Sequence, residues 1–170
     1  FYFGLEHIVT GYDHLMFLLG LLIVSRGLKN LIIIVTAFTV AHSLTLALAT
    51  LGLIQPVGWI VESAIALSIV YVGIENLLVE EAKHRWRLSF VFGLIHGFGF
   101  AGLLGEMGLE QAGLLLGLFS FNLGVEAGQI AIVALAWPLL NKLAKTKYRR
   151  PIVNSVSGVI SVFGLMWFFQ

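Results

Sequence analysis

Apolar runs of membrane-spanning length fill this chain and leave it few ways to fold. Six stretches, about 1–25, 31–54, 57–79, 88–105, 112–141 and 152–169, are separated by Arg26–Asn30, a Gln55-Pro56 turn, Glu80–Arg87, Glu106–Gln111 and Lys142–Pro151. A bilayer core of roughly 30 Å takes about 20 helical residues, and backbone in hydrocarbon must satisfy its own hydrogen bonds. The pattern predicts an all-α polytopic membrane bundle of six transmembrane helices, one domain over 1–170. At 59% hydrophobic and 11% charged, the 170 residues leave no room for a separate soluble domain. The fifth stretch exceeds one span, so its first part, 112–118, is expected at the interface or lining a cavity.

Charge sets the orientation. The ten Lys and Arg residues fall two, zero, three, zero and five along the five loops: Arg26 and Lys29; Lys83, Arg85 and Arg87; Lys142, Lys145, Lys147, Arg149 and Arg150. Basic loops stay cytoplasmic, which places both termini outside. Trp59, Trp86, Trp137 and Trp167 all fall near span ends, where indole favours the interface. An outside N-terminus needs an upstream signal peptide or domain, and the chain opens on Phe1, so a mature or trimmed chain is expected. Phe3-Gly4-Leu5-Glu6-His7 recurs as Phe92-Gly93-Leu94-Ile95-His96 in an oppositely directed helix, which is compatible with a 3+3 inverted repeat.

Nine ionisable side chains interrupt the apolar segments: Glu6, His7, Asp13, His14, His42, Glu62, Glu75, His96 and Glu126. Each costs about 2.5–3.5 kcal/mol on insertion scales. Imidazole and carboxylate, in a chain with no cysteine, are the ligands of a divalent metal or the parts of a proton relay. The missing cysteines exclude disulfides and thiolate sites, and basic residues confined to short loops exclude a nucleic-acid surface.

His7 and His14 stand about 10.5 Å apart on a straight helix, too far for one ion unless the helix breaks, for instance at Gly11. Asp13, His14, His42, His96 and Glu126 are the candidates for a shared metal or proton site. Thr36, Thr45 and Thr50 are expected to bond their own backbone. Gly93, Gly97, Ala101 and Gly105 form a packing ridge, and Asn122 and Gln129 join helices. Glu75 is expected to reach the inner interface near Glu80, Glu62 to sit at the outer mouth, and His84 to be solvated in a loop.

Several motifs together carry a family resemblance over nearly the whole chain. They are the H-x5-D-H run His7-Ile8-Val9-Thr10-Gly11-Tyr12-Asp13-His14, the segment Phe38-Thr39-Val40-Ala41-His42-Ser43, Val61-Glu62-Ser63-Ala64, Phe92-Gly93-Leu94-Ile95-His96-Gly97 and Phe121-Asn122-Leu123-Gly124-Val125-Glu126. The chain resembles the HupE/UreJ family of bacterial membrane proteins. The resemblance implies a nickel or cobalt permease of the inner membrane, with H-x5-D-H, here His7, Asp13 and His14, as the metal-recognition element. It also implies an extracytoplasmic domain upstream in the branch concerned. Permease members carry Pro after the first His, where this chain has Ile8.

Three functions follow. The first is a permease for a divalent transition metal (Ni, Co or Zn), with His7, Asp13, His14, His42, His96 and Glu126 as metal residues. Imidazole and carboxylate suit these ions, and the lack of thiolate disfavours copper(I). The second is an intramembrane zinc hydrolase acting on lipid or membrane peptide, with Glu126 as base and Ser43 positioning water. The third is a structural or assembly subunit.

Overall fold

A computed structural model describes residues 1–80, 84–100 and 111–170. Lys83, Ala101, Gly105 and most of the Glu106–Gln111 loop lie outside the described residues. Among the described residues there are seven α-helices and no strand: α1 Tyr2–Thr10, α2 Tyr12–Val24, α3 Leu28–Thr50, α4 Gly58–Leu78, α5 Arg85–Gly99, α6 Gln111–Ala144 and α7 Arg149–Phe168. Four of them are long and apolar enough to cross a membrane, over Leu28–Thr50, Gly58–Leu78, Gly113–Ala144 and Arg149–Phe168. The bent pair α1 and α2 makes a fifth if it counts as one span.

The first apolar stretch is therefore not one helix. It breaks at Gly11, where ψ of 95° is extended, and the two halves meet at 74°. A Cβ at Gly11 would stand 2.7 Å from the His7 carbonyl and 3.1 Å from both Asp13 Oδ1 and His14 Nδ1. Only glycine leaves those polar groups their place. The fifth stretch, by contrast, runs as one helix of 34 residues, about 51 Å at 1.5 Å per residue, with Pro138 near its C-terminal end. The matching pentapeptides sit in unlike elements, one in the nine-residue half-helix α1 and the other inside α5.

Helix α2 is apolar all round from Leu15 onwards, and it buries His14, Phe17, Leu18 and every residue from Gly20 to Val24. Its neighbours include α4 and α7; α3 packs most closely on α5, α4 on α7, and α1 on α6. One apolar cluster joins Phe17 and Leu21 of α2 to Ile34 and Phe38 of α3, Ile69 and Val72 of α4, and Ile160 of α7. The outer surface keeps exposed apolar side chains such as Val40, Leu44 and Leu135. That suits lipid, which gains nothing from a polar exterior.

Glycines set how closely the helices approach. A Cβ at Gly97 would collide with the His42 carbonyl and Thr45 Oγ1, and one at Gly93 would lie 2.6 Å from the Phe38 carbonyl. The ridge thus brings α5 onto the backbone of α3 for the two of its members that are described. Gly4 and Gly124 do the same between α1 and α6, against the carbonyls of Phe121 and Phe1.

The helix ends are closed with polar partners. Gly52, at φ +72°, ends α3 in a Schellman arrangement, with Gly52 N–H donating to Ala49 O and Leu53 N–H to Leu48 O, both at 3.0 Å. At the other end of the bundle Arg150 donates to the carbonyls of Asn76, Leu77 and Val79, and Arg149 to Val24 O. These are carbonyls that the ends of α4 and α2 leave unpaired.

Candidate metal centre

The break at Gly11 folds α1 back so that His7 meets His14. Their ring centroids are 4.5 Å apart, within the reach that a straight helix denies them. His14 is the hub: it also lies 6.3 Å from His42 of α3 and 5.3 Å from His96 of α5. One ligating atom from each of His7, His14 and His42 falls within 4.8 Å of the other two. Nitrogens around a tetrahedral zinc stand about 3.3 Å apart, so small ring rotations would close this set on an ion.

The polar bookkeeping points the same way. The Nε2 atoms of His7, His14, His42 and His96 are all buried without a hydrogen-bond partner among the described residues. A buried nitrogen left unpaired costs about 1–3 kcal/mol. Four of them in one place are compatible with a ligand set for a metal ion. At His96 the proton can be located. Nδ1 lies 2.8 Å from the Phe92 carbonyl, which only accepts, so Nδ1 carries the hydrogen and Nε2 the lone pair. Asp13 Oδ1 lies 3.1 Å from His14 Nδ1 and sets a carboxylate at the edge of the cluster.

Access comes from one side. A cavity of about 520 Å³ is lined by His7, Asp13, His14 and His96, by Thr10 and Tyr12 at the helix break, and by Glu62, Trp167 and Gln170. The last three lie at the N-terminal end of α4 and the C-terminal end of α7, remote from the basic loops. Glu62 lines a second cavity of about 360 Å³ beside Gln55 and Pro56. On the opposite side of the cluster Phe17 packs on His96, Phe38 and Phe92 at centroid separations of 4.9, 5.5 and 5.7 Å. One turn further along α2, the Gly20 and Leu21 carbonyls accept from Arg85. The described residues thus leave the cluster open at the loop end away from the arginines and closed towards them.

The family model described as HupE / UreJ protein matches residues 1–170, the whole chain. The chain belongs to the HupE/UreJ family. No curated protein and no solved structure matches it.

This HupE/UreJ chain separates some residues that its sequence groups together. Glu126 is not in the group formed by His7, His14 and His42: its Oε1 accepts from Thr36 at 2.6 Å, and its Oε2 is buried without a partner among the described residues. Thr36 therefore bonds across to α6 and not, as expected, to its own backbone; Thr45 and Thr50 do bond theirs. Ser43 donates to the Thr39 carbonyl at 2.6 Å, which occupies its hydroxyl hydrogen. Gln129 accepts from Thr39 at 2.9 Å, and Asn122 Oδ1 lies 3.3 Å from His42 Nδ1. Glu6 is exposed, its carbonyl accepting from Thr10. His84 is exposed, at φ +60°.

Glu75 is the clearest correction. It does not reach out towards Glu80 but pairs with Arg85 at 2.7 Å, and Arg85 also donates to Asn76 Oδ1 at 2.6 Å. Arg85 is 2% exposed, yet in the sequence it reads as a loop cation. The helix begins three residues before the apolar run does, and that turns Arg85 inward. The signal was Glu75-Asn76, two polar residues near a helix end that needed a partner.

Proposed function

We propose that the chain is a membrane permease for a divalent transition-metal cation of the nickel/cobalt type, a single transmembrane domain over 1–170 in a bacterial inner membrane. The observation that carries this reading is the convergence of four imidazoles, each with a buried Nε2 that has no partner among the described residues, three of them (His7, His14 and His96) lining one cavity. Neutral imidazole suits nickel, cobalt and zinc. His7, His14 and His42 would supply the core nitrogens, His96 a fourth, and Asp13 a carboxylate at the approach. Family membership and the apolar helices support the membrane setting. Glu126, half-buried between α3 and α6, is proposed to take a proton rather than the metal.

Transport requires a site that exchanges its ion, and a resident catalytic metal would not. Purified protein in liposomes should take up Ni²⁺ or Co²⁺ in a saturable way, and EDTA should strip its bound metal. Metal that resists EDTA together with absent flux would overturn the permease reading in favour of a fixed-metal hydrolase.

For orientation, we propose six spans with both termini extracytoplasmic, on the strength of the charge alternation. Cysteines introduced at Leu28 and Thr146 should then escape a membrane-impermeant thiol reagent in intact cells. Labelling at either position from outside would reverse the topology.

A further inference from the structure

We infer that Asn122 is a positioning residue for the metal centre: its side-chain carbonyl holds His42 in the form that presents Nε2 to the cation. The inference rests on reading the histidine cluster as a cation site.

His42 is fully buried, its ring stacked between Phe38 (5.9 Å, 24°) and Phe121 (6.5 Å, 22°). Those two rings fix the plane of the imidazole but not which nitrogen carries its proton. Asn122 decides that. Its Nδ2 donates to the Leu118 carbonyl at 2.9 Å. A carbonyl only accepts, so the amide nitrogen must face Leu118 and Oδ1 must face His42. Oδ1 also only accepts, so Nδ1 of His42, 3.3 Å away, is the donor. A neutral imidazole has one N–H, and Nε2 is left with its lone pair. That Nε2 is buried and has no partner among the described residues. The relay therefore runs from the Leu118 carbonyl through Asn122 and His42 to the cluster. Partners of this kind orient metal-binding histidines and make them more basic.

The competing role for Asn122 is to join α3 to α6. Two other bonds already join that pair, Thr36 to Glu126 at 2.6 Å and Thr39 to Gln129 at 2.9 Å. Helix joining alone also does not require the amide to face the way it does.

The test is Co²⁺ titration of the purified full chain, followed by visible absorption, with a melting curve for each variant. Asn122→Leu should weaken Co²⁺ binding about 10–100-fold and alter the spectrum while the protein stays folded. Asn122→Asp keeps the acceptor and should bind within a few-fold of wild type. In a His42→Ala background Asn122→Leu should cost nothing more, because the residue acts through His42.

Wild-type affinity in Asn122→Leu would overturn the role, as would a loss that persists undiminished without His42. Should Asn122→Leu fail to fold, Asn122→Ala replaces it in the same cycle, and failure of Asn122→Asp to bind then counts against the role. A wild-type chain that takes up no Co²⁺ overturns the cation-site reading itself. That result differs from one in which wild type binds and the Asn122 variants bind equally well.

Discussion

His14→Ala should abolish high-affinity metal binding and leave the protein folded. His14 is the one imidazole in ring contact with the other three, so its loss removes a nitrogen and the centre of the cluster at once. Losing a partner outside the ligand sphere costs metal sites about 10–100-fold in affinity, and loss of His14 should exceed the upper end of that range. Stability should change little. Nε2 has no partner among the described residues, Nδ1 meets only the part-exposed Asp13 carboxylate at 3.1 Å, and the side chain borders a cavity that can take up the vacated volume. Bound metal and melting temperature, measured on one sample, decide the matter. A destabilised variant with full metal occupancy would remove His14 from the site.

Glu75→Ala should be the more damaging substitution for the fold. It strands the Arg85 guanidinium, whose side chain has no exposed surface, without its counter-charge between α2, α4 and α5. Breaking one partner of a buried ion pair costs about 3–5 kcal/mol. The lower end applies here, because Glu75 retains 28% of its side-chain exposure and Asn76 still accepts from Arg85. The double variant Glu75→Leu/Arg85→Met removes both charges and should recover much of the loss. Denaturant unfolding in detergent tests the pair. A Glu75→Ala protein as stable as wild type would mean that the contact contributes nothing to holding α2, α4 and α5 together.

What the sequence revealed follows from how far each signal reaches. Helix class and most helix bounds were legible because the cost of burying an unpaired backbone group in lipid acts on every residue of a span. The histidines were legible because each is costly on its own. The break at Gly11 was legible only as a condition: two histidines seven residues apart share an ion if the helix bends, and the chain does not announce which glycine bends it. Arg85 reads as a loop cation because its side chain is turned inward by a helix start that no apolar residue marks. Only its chemistry groups Glu126 with the histidines in the sequence. The chain cannot show that Thr36, some 90 residues away, holds one of its oxygens.

The 74° joint has a mechanical meaning. His7 and His14 stand on opposite sides of it, while His42 and His96 ride on α3 and α5, whose backbones are pressed together at Gly93 and Gly97. α1 is likewise pressed onto α6 at Gly4 and Gly124, so the cluster is assembled from two packed helix pairs that meet at one backbone joint. A cation held there would be gripped across that joint, and its hold would depend on the angle at Gly11 that sets His7 against His14.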